Sequence, residues 1–114
     1  MPDDGAADQV LRERFDDLVD ELTGLPGVTP PARGSGFGRS AMRFNGKIFV
    51  MFVRGQLVLK LPESRVDDLI AGGHGSRFDA NKGKPMREWV TLAQGSDLAW
   101  LPLAREALSY AGGG

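Results

Sequence analysis

Apolar residues fall along this chain in two different patterns. Over 8–22 they fall three and four apart, at Val10, Leu11, Phe15, Leu18, Val19 and Leu22, which predicts a helix with Asp8 as its N-cap and Thr23-Gly24 as its end. Arg12, Glu13, Asp16, Asp17, Asp20 and Glu21 populate the other face, as on a solvated helix side. Asp16 and Asp17 are adjacent, so they splay about the axis rather than converge as a catalytic pair. The next stretch, 24–38, is rich in proline and glycine (LPGVTPPARGSGFG over 25–38) and predicts a loop.

From residue 43 to 61 runs an apolar stretch cut by two turns nine residues apart, and strands are expected over 39–44, 47–53 and 56–61. Asn45-Gly46 separates the first two strands. That pair supplies the positive φ values of a type I′ turn, so Phe44 should face Lys47. Arg54-Gly55 is a weaker version of the same signal, since only the glycine takes positive φ without cost. Two-residue turns at both places set Met42 opposite Phe49, Ala41 opposite Val50, Met51 opposite Val58 and Val50 opposite Leu59. One face then collects Ile48, Val50, Phe52, Leu57, Leu59 and Leu61 as a core face. The other collects Met42, Phe44, Phe49, Met51 and Val58. Left wet, that second set would form a patch larger than monomers usually show, so it is a candidate homodimer face.

Pro62 should open a short helix, with Val66, Leu69 and Ile70 inward and Gly72-Gly73 closing it. A loop over 74–85 leads to a fourth strand over 86–92. Gln94-Gly95 then turns the chain, Ser96 caps, and a last helix runs over 97–110. Pro102 belongs in a first turn, which places the regular start later than Ser96 suggests. The expected fold is α+β and two-layered: an antiparallel sheet of about four strands around the three-stranded meander, packed against three helices. A chain of 114 residues makes this a single domain, with flexible ends over 1–7 and 112–114.

Composition adds exclusions. With 41% hydrophobic and 25% charged residues the chain is ordinarily globular, and without cysteine it has no disulfide, thiolate metal site or cysteine nucleophile. Residues 1–8 are acidic and small where a signal peptide would be basic then apolar. No apolar run approaches bilayer length, so no membrane and a cytoplasmic location are expected. The net charge of −1 hides a division. Residues 1–22 carry eight acids against Arg12 and Arg14, whereas 23–61 carry Arg33, Arg39, Arg43, Lys47, Arg54 and Lys60 and no acid. An acidic helix lying near a basic sheet edge explains this, and an anion-binding patch is the sharper alternative.

Recognisable chemistry is sparse. The stretch Gly34-Ser35-Gly36-Phe37-Gly38-Arg39 lacks the third glycine of a dinucleotide fingerprint and leads into a strand, and Gly83-Lys84 is followed by Pro85 rather than Ser or Thr. These glycines read as turns. His74, the only histidine, would need carboxylates from distant segments to hold a metal and reads as a surface residue. Glu63 and Asp67 populate the polar side of their helix. No serine has a base at a readable spacing, so no cofactor and no enzymatic activity are expected. Arg77, Lys82, Lys84 and Arg87, with Phe78 and Trp89 nearby, could bind nucleic acid by stacking and phosphate pairing. The candidate anion or partner surface therefore comprises Arg39, Arg43, Lys47, Lys60, Arg77, Lys82, Lys84, Arg87 and Trp89. A pI near 5.8 makes any nucleic-acid binding weak.

Several runs together resemble a known family. They are Arg43-Phe44-Asn45-Gly46-Lys47-Ile48-Phe49, Gly55-Gln56-Leu57-Val58-Leu59-Lys60-Leu61-Pro62, Arg77-Phe78, Gly83-Lys84-Pro85-Met86, Trp89 and Trp100-Leu101 with the closing helix. In order and spacing they resemble the N-terminal domain of the competence regulator TfoX (Sxy), over about residues 38–111. The resemblance implies helices packed on an antiparallel sheet and a non-enzymatic domain acting through protein contacts. Family members of full length promote transcription of competence genes alongside a cyclic-AMP receptor protein. Two positions depart from the family pattern: Gly38-Arg39-Ser40 replaces a Gly-Gly dipeptide, and Glu88 stands before the tryptophan where an aromatic is common. A looser likeness to MmcQ/YjbR-type domains shares Gly46-Lys47-Ile48-Phe49 and the closing helix, and implies a DNA-binding module. A third alternative is a small-ligand or enzymatic site on the basic 74–88 loop.

Overall fold

A computed structural model describes residues 3–30, 39–53, 55–78, 86–93, 96 and 98–112, with the backbone alone for 3–9 and 39–40. The chain is α+β. Its elements are α1 (Asp3–Thr23), β1 (Val28–Thr29), β2 (Arg39–Phe44), β3 (Lys47–Val53), β4 (Gln56–Lys60), α2 (Glu63–Ala71), β5 (Gly75–Arg77), β6 (Trp89–Leu92) and α3 (Trp100–Ala111). All strand pairs are antiparallel, in the order β1-β2-β3-β4-β6-β5. Among the described residues the sheet thus has six strands where about four are expected. The additions are two and three residues long, too short to show a period of two. β1 lies between Pro26 and Pro30, and as an edge strand it tolerates them. β5 begins at Gly75, where a Cβ would collide with the Thr91 carbonyl oxygen, so only glycine allows β5 and β6 to approach.

The meander forms, and its first turn is as expected. Phe44 pairs with Lys47, with Asn45 at φ 49° and Gly46 at φ 86°. One step further the register breaks. Met42 pairs with Val50 and Arg43 with Ile48, so a bulge leaves Phe49 and Val50 together opposite Met42. This corrects the expected pairing of Met42 with Phe49 and of Ala41, which instead faces Met51. The β3–β4 register has no such shift: Met51 opposes Val58 and Val50 opposes Leu59, as expected.

The bulge redistributes the sheet faces. Met42, Phe49, Val50, Phe52, Leu57, Leu59 and Leu61 join one buried cluster with Phe15, Leu18 and Leu22 of α1, Val66 and Leu69 of α2, and Trp100, Leu103, Ala104 and Ala107 of α3. Phe44 packs against that cluster. Of the candidate dimer face, Met42, Phe44 and Phe49 are therefore occupied by the chain's own helices. Met51 and Val58, outside the cluster, are 8% and 0% exposed. Ile48, expected in the core, is half-buried and outside it.

The helices hold few surprises. α1 starts at Asp3, so Asp8 lies inside it rather than capping it, and Val10 is 61% exposed instead of joining the apolar stripe. Phe15 stacks on Phe52 at 5.0 Å between centroids, and Phe52 tilts against Trp100 at 6.3 Å. Arg12 and Arg14 lie over Phe52 and Trp100, at 5.4 and 4.3 Å from the ring centroids. Pro62 is the N-cap of α2 rather than its first helical residue. At the other end the His74 N–H donates to the Leu69 carbonyl and the Gly73 N–H to that of Ile70, with Gly73 at φ 81°. This paired closure is the Schellman motif. α3 starts at Trp100, leaving Pro102 in the first turn, where its missing N–H costs nothing. Gly112, expected to fray, caps α3 by donating to the Leu108 carbonyl.

Candidate functional site

Three chain segments meet at the tip of the first hairpin. The Asn45 N–H donates to the Gly27 carbonyl at 2.9 Å, anchoring the tip to the segment after α1. A Cβ on Gly27, which has φ 84°, would come within 2.8 Å of both Asn45 Oδ1 and the Phe44 ring. A Cβ on Gly112 would lie 3.3 Å from the Phe44 ring, so the end of α3 rests against the same tip. β4 contributes Lys60, whose register partner is Trp89, and the neighbouring Glu88 accepts a 2.7 Å hydrogen bond from the Tyr110 hydroxyl.

Between these segments lies an open trough. One hollow of about 240 Å³ is lined by Lys47, Ile48, Lys60, Tyr110 and Ala111. The adjoining one, about 310 Å³, is lined by Phe44, Asn45, Lys47, Tyr110, Ala111 and Gly112. The hydrogen bond to Glu88 raises the Tyr110 pKa above its ordinary 10.0, because it favours the protonated phenol.

The nine residues of the candidate surface are not gathered at one place. Lys47, exposed, and Lys60, half-buried, line the trough, and Trp89 pairs with Lys60. Arg43 is exposed on β2 and Arg87 in the turn before β6. Arg77 lies on β5 and is tied to Asp67 of α2. Arg39 pairs with Val53 through its backbone. Lys82 and Lys84 lie outside the described residues. On either side of the segment that carries them, the Phe78 N–H donates to the Trp89 carbonyl and the Met86 N–H to that of Phe78, both at 2.9 Å.

Sequence reasoning missed two features. Tyr110 is distant in the chain from both lysines, and no local motif connects it to them. The other is a serine beside a base: His74 Nδ1 lies 3.3 Å from Ser96 Oγ, and His74 is half-buried rather than on the surface. Ser96 Oγ also accepts the Leu98 N–H at 3.3 Å, and the His74 carbonyl accepts the Ala93 N–H at 2.8 Å. Both residues thereby fasten the segment leading into α3.

Elsewhere, Arg65 of α2 forms a two-pronged ion pair with Glu106 of α3, at 2.9 and 3.2 Å, and that hydrogen bonding raises the Arg65 pKa. Both side chains are about two-fifths exposed, which limits the pair to about 1 kcal/mol or less. Among the described residues no three His, Asp or Glu side chains are grouped to hold a metal ion, and no helix is long and apolar enough to cross a membrane. Comparison with protein-family models, with curated proteins and with solved structures returns no match.

Proposed function

We propose that the chain is a non-enzymatic domain of the TfoX N-terminal type that works through contact with another protein, in the transcriptional or competence setting that the resemblance implies. One observation supports this most. The polar side chains best suited to chemistry serve as ties between elements: Arg65 to Glu106, Arg77 to Asp67, Tyr110 to Glu88, and His74 with Ser96. A catalytic site needs such groups turned toward a substrate, whereas a contact domain needs them only to keep its surface rigid.

Cross-linking the full chain in its native cell, followed by mass spectrometry, should return one protein in stoichiometric amount. Hydrolysis of ester or phosphate-ester probes that disappears in His74→Ala and Ser96→Ala would instead make the domain an enzyme. Fluorescence anisotropy with duplex DNA should show weak binding that vanishes at physiological ionic strength. Sequence-specific binding at that salt would favour the MmcQ/YjbR-like reading.

A further inference from the structure

We propose that the trough between the first hairpin turn and the end of α3 docks an acidic segment of a partner protein, with Lys47 and Lys60 receiving its carboxylates. This rests on the contact-domain reading and gives the partner a chemistry.

Continuity of shape is the first support. The two hollows share Lys47, Tyr110 and Ala111, so they adjoin as one trough along which an extended peptide could lie. Charge is the second. Arg65 and Arg77 have carboxylate partners, and Arg12 and Arg14 lie over aromatic rings. Lys47 and Lys60 have no ion pair or side-chain hydrogen bond among the described residues, although both line the same hollow. Glu88, close in the chain to the Lys60 partner Trp89, is engaged by the Tyr110 hydroxyl. Two lysines thus line an opening whose remaining walls include the apolar Ile48 and Ala111.

That composition suits acidic residues alternating with apolar ones. Each carboxylate meets one ammonium while the intervening side chain covers Ile48 or Ala111. A nucleic-acid strand fits less well, because a continuous phosphate backbone needs a longer track of cations than two lysines supply.

The test is titration of the full chain with a short synthetic peptide of alternating Glu and Leu, followed by amide chemical shifts and calorimetry. Shifts should concentrate at Lys47, Lys60, Tyr110 and Ala111. The double variant Lys47→Glu/Lys60→Glu, with folding checked by circular dichroism, should lose affinity by about tenfold or more, since each exposed ion pair is worth a few-fold in binding. Arg105→Glu, at an exposed position of α3 outside the trough, should bind as the parent chain does. Unchanged affinity in the double variant would overturn the proposal, as would tighter binding of a single-stranded oligonucleotide at physiological salt. If the cross-linked partner is retained by the double variant, the trough is wrong while the contact-domain reading stands.

Discussion

The two hairpins share β3, yet they are built differently. In the second, Met51 meets Val58 and Val50 meets Leu59 without interruption, so its turn alone accounts for its register. In the first, the stronger turn governs only the pairs next to it, because the bulge places Phe49 and Val50 together against Met42. The difference shows that a turn sets register locally while burial sets it at a distance. Met42 and Phe49, both fully buried, join the cluster under the helices instead of the opposite face. A core that gains two large side chains more than offsets one irregular ladder step.

The largest effect should come from Phe49. Truncation to alanine should cost about 3–5 kcal/mol in urea unfolding, whereas Met51→Ala, on the opposite face of the same strand, should stay near the lower end of about 2–5 kcal/mol. Equal costs would break the contrast between the faces. A double-mutant cycle then sharpens it. Met42→Ala and Phe49→Ala should couple by about 0.5–3 kcal/mol because the bulge packs these side chains together, and strict additivity would place Phe49 away from Met42.

The turns themselves should be nearly equivalent. Gly46 and Gly55 sit at φ 86° and 79°, so alanine at either should cost about 1–2 kcal/mol. A Gly55→Ala variant with parental stability would mean that the second turn relaxes where the first cannot. The smallest effect lies beside the first hairpin tip. Ultraviolet titration of Tyr110 should give a midpoint above 10.0, falling toward that value in Glu88→Gln. Because the folded-state pKa is the raised one, the bond's contribution is complete below pH 10 and fades as pH rises through the folded midpoint. A midpoint at the ordinary value in the parent chain would remove the Tyr110–Glu88 tie.

These particulars show which parts of the molecule could be read from residues alone. Asn45-Gly46 was legible because a two-residue turn is a local event, and so were the α2 closure at Gly72-Gly73 and the apolar stripes of the helices. β1 and β5 were not, since two or three residues carry no period and their pairing depends on strands distant in the chain. The bulge was hidden because 48–53 is an unbroken apolar run, which fits either register. The trough was the least legible feature of all. Lys47 and Lys60 stood out as bases, but only the arrival of α3 at the hairpin tip gives them Tyr110 and Ala111 as neighbours.

The strand order carries a consequence for how copies of this chain behave when crowded. An open sheet presents backbone donors and acceptors along its outer strands, and a long, flat edge recruits other chains into shared ladders. Here the outermost strands are the two residues of β1, followed by Pro30, and the three residues of β5. The longer strands β3 and β4 have neighbours on both sides, whereas β1 covers β2 only at Arg43 and Phe44. Strand order thus withholds β3 and β4 from a foreign ladder, and the part of β2 that the two-residue β1 covers owes that protection to the least conspicuous segment of the sheet.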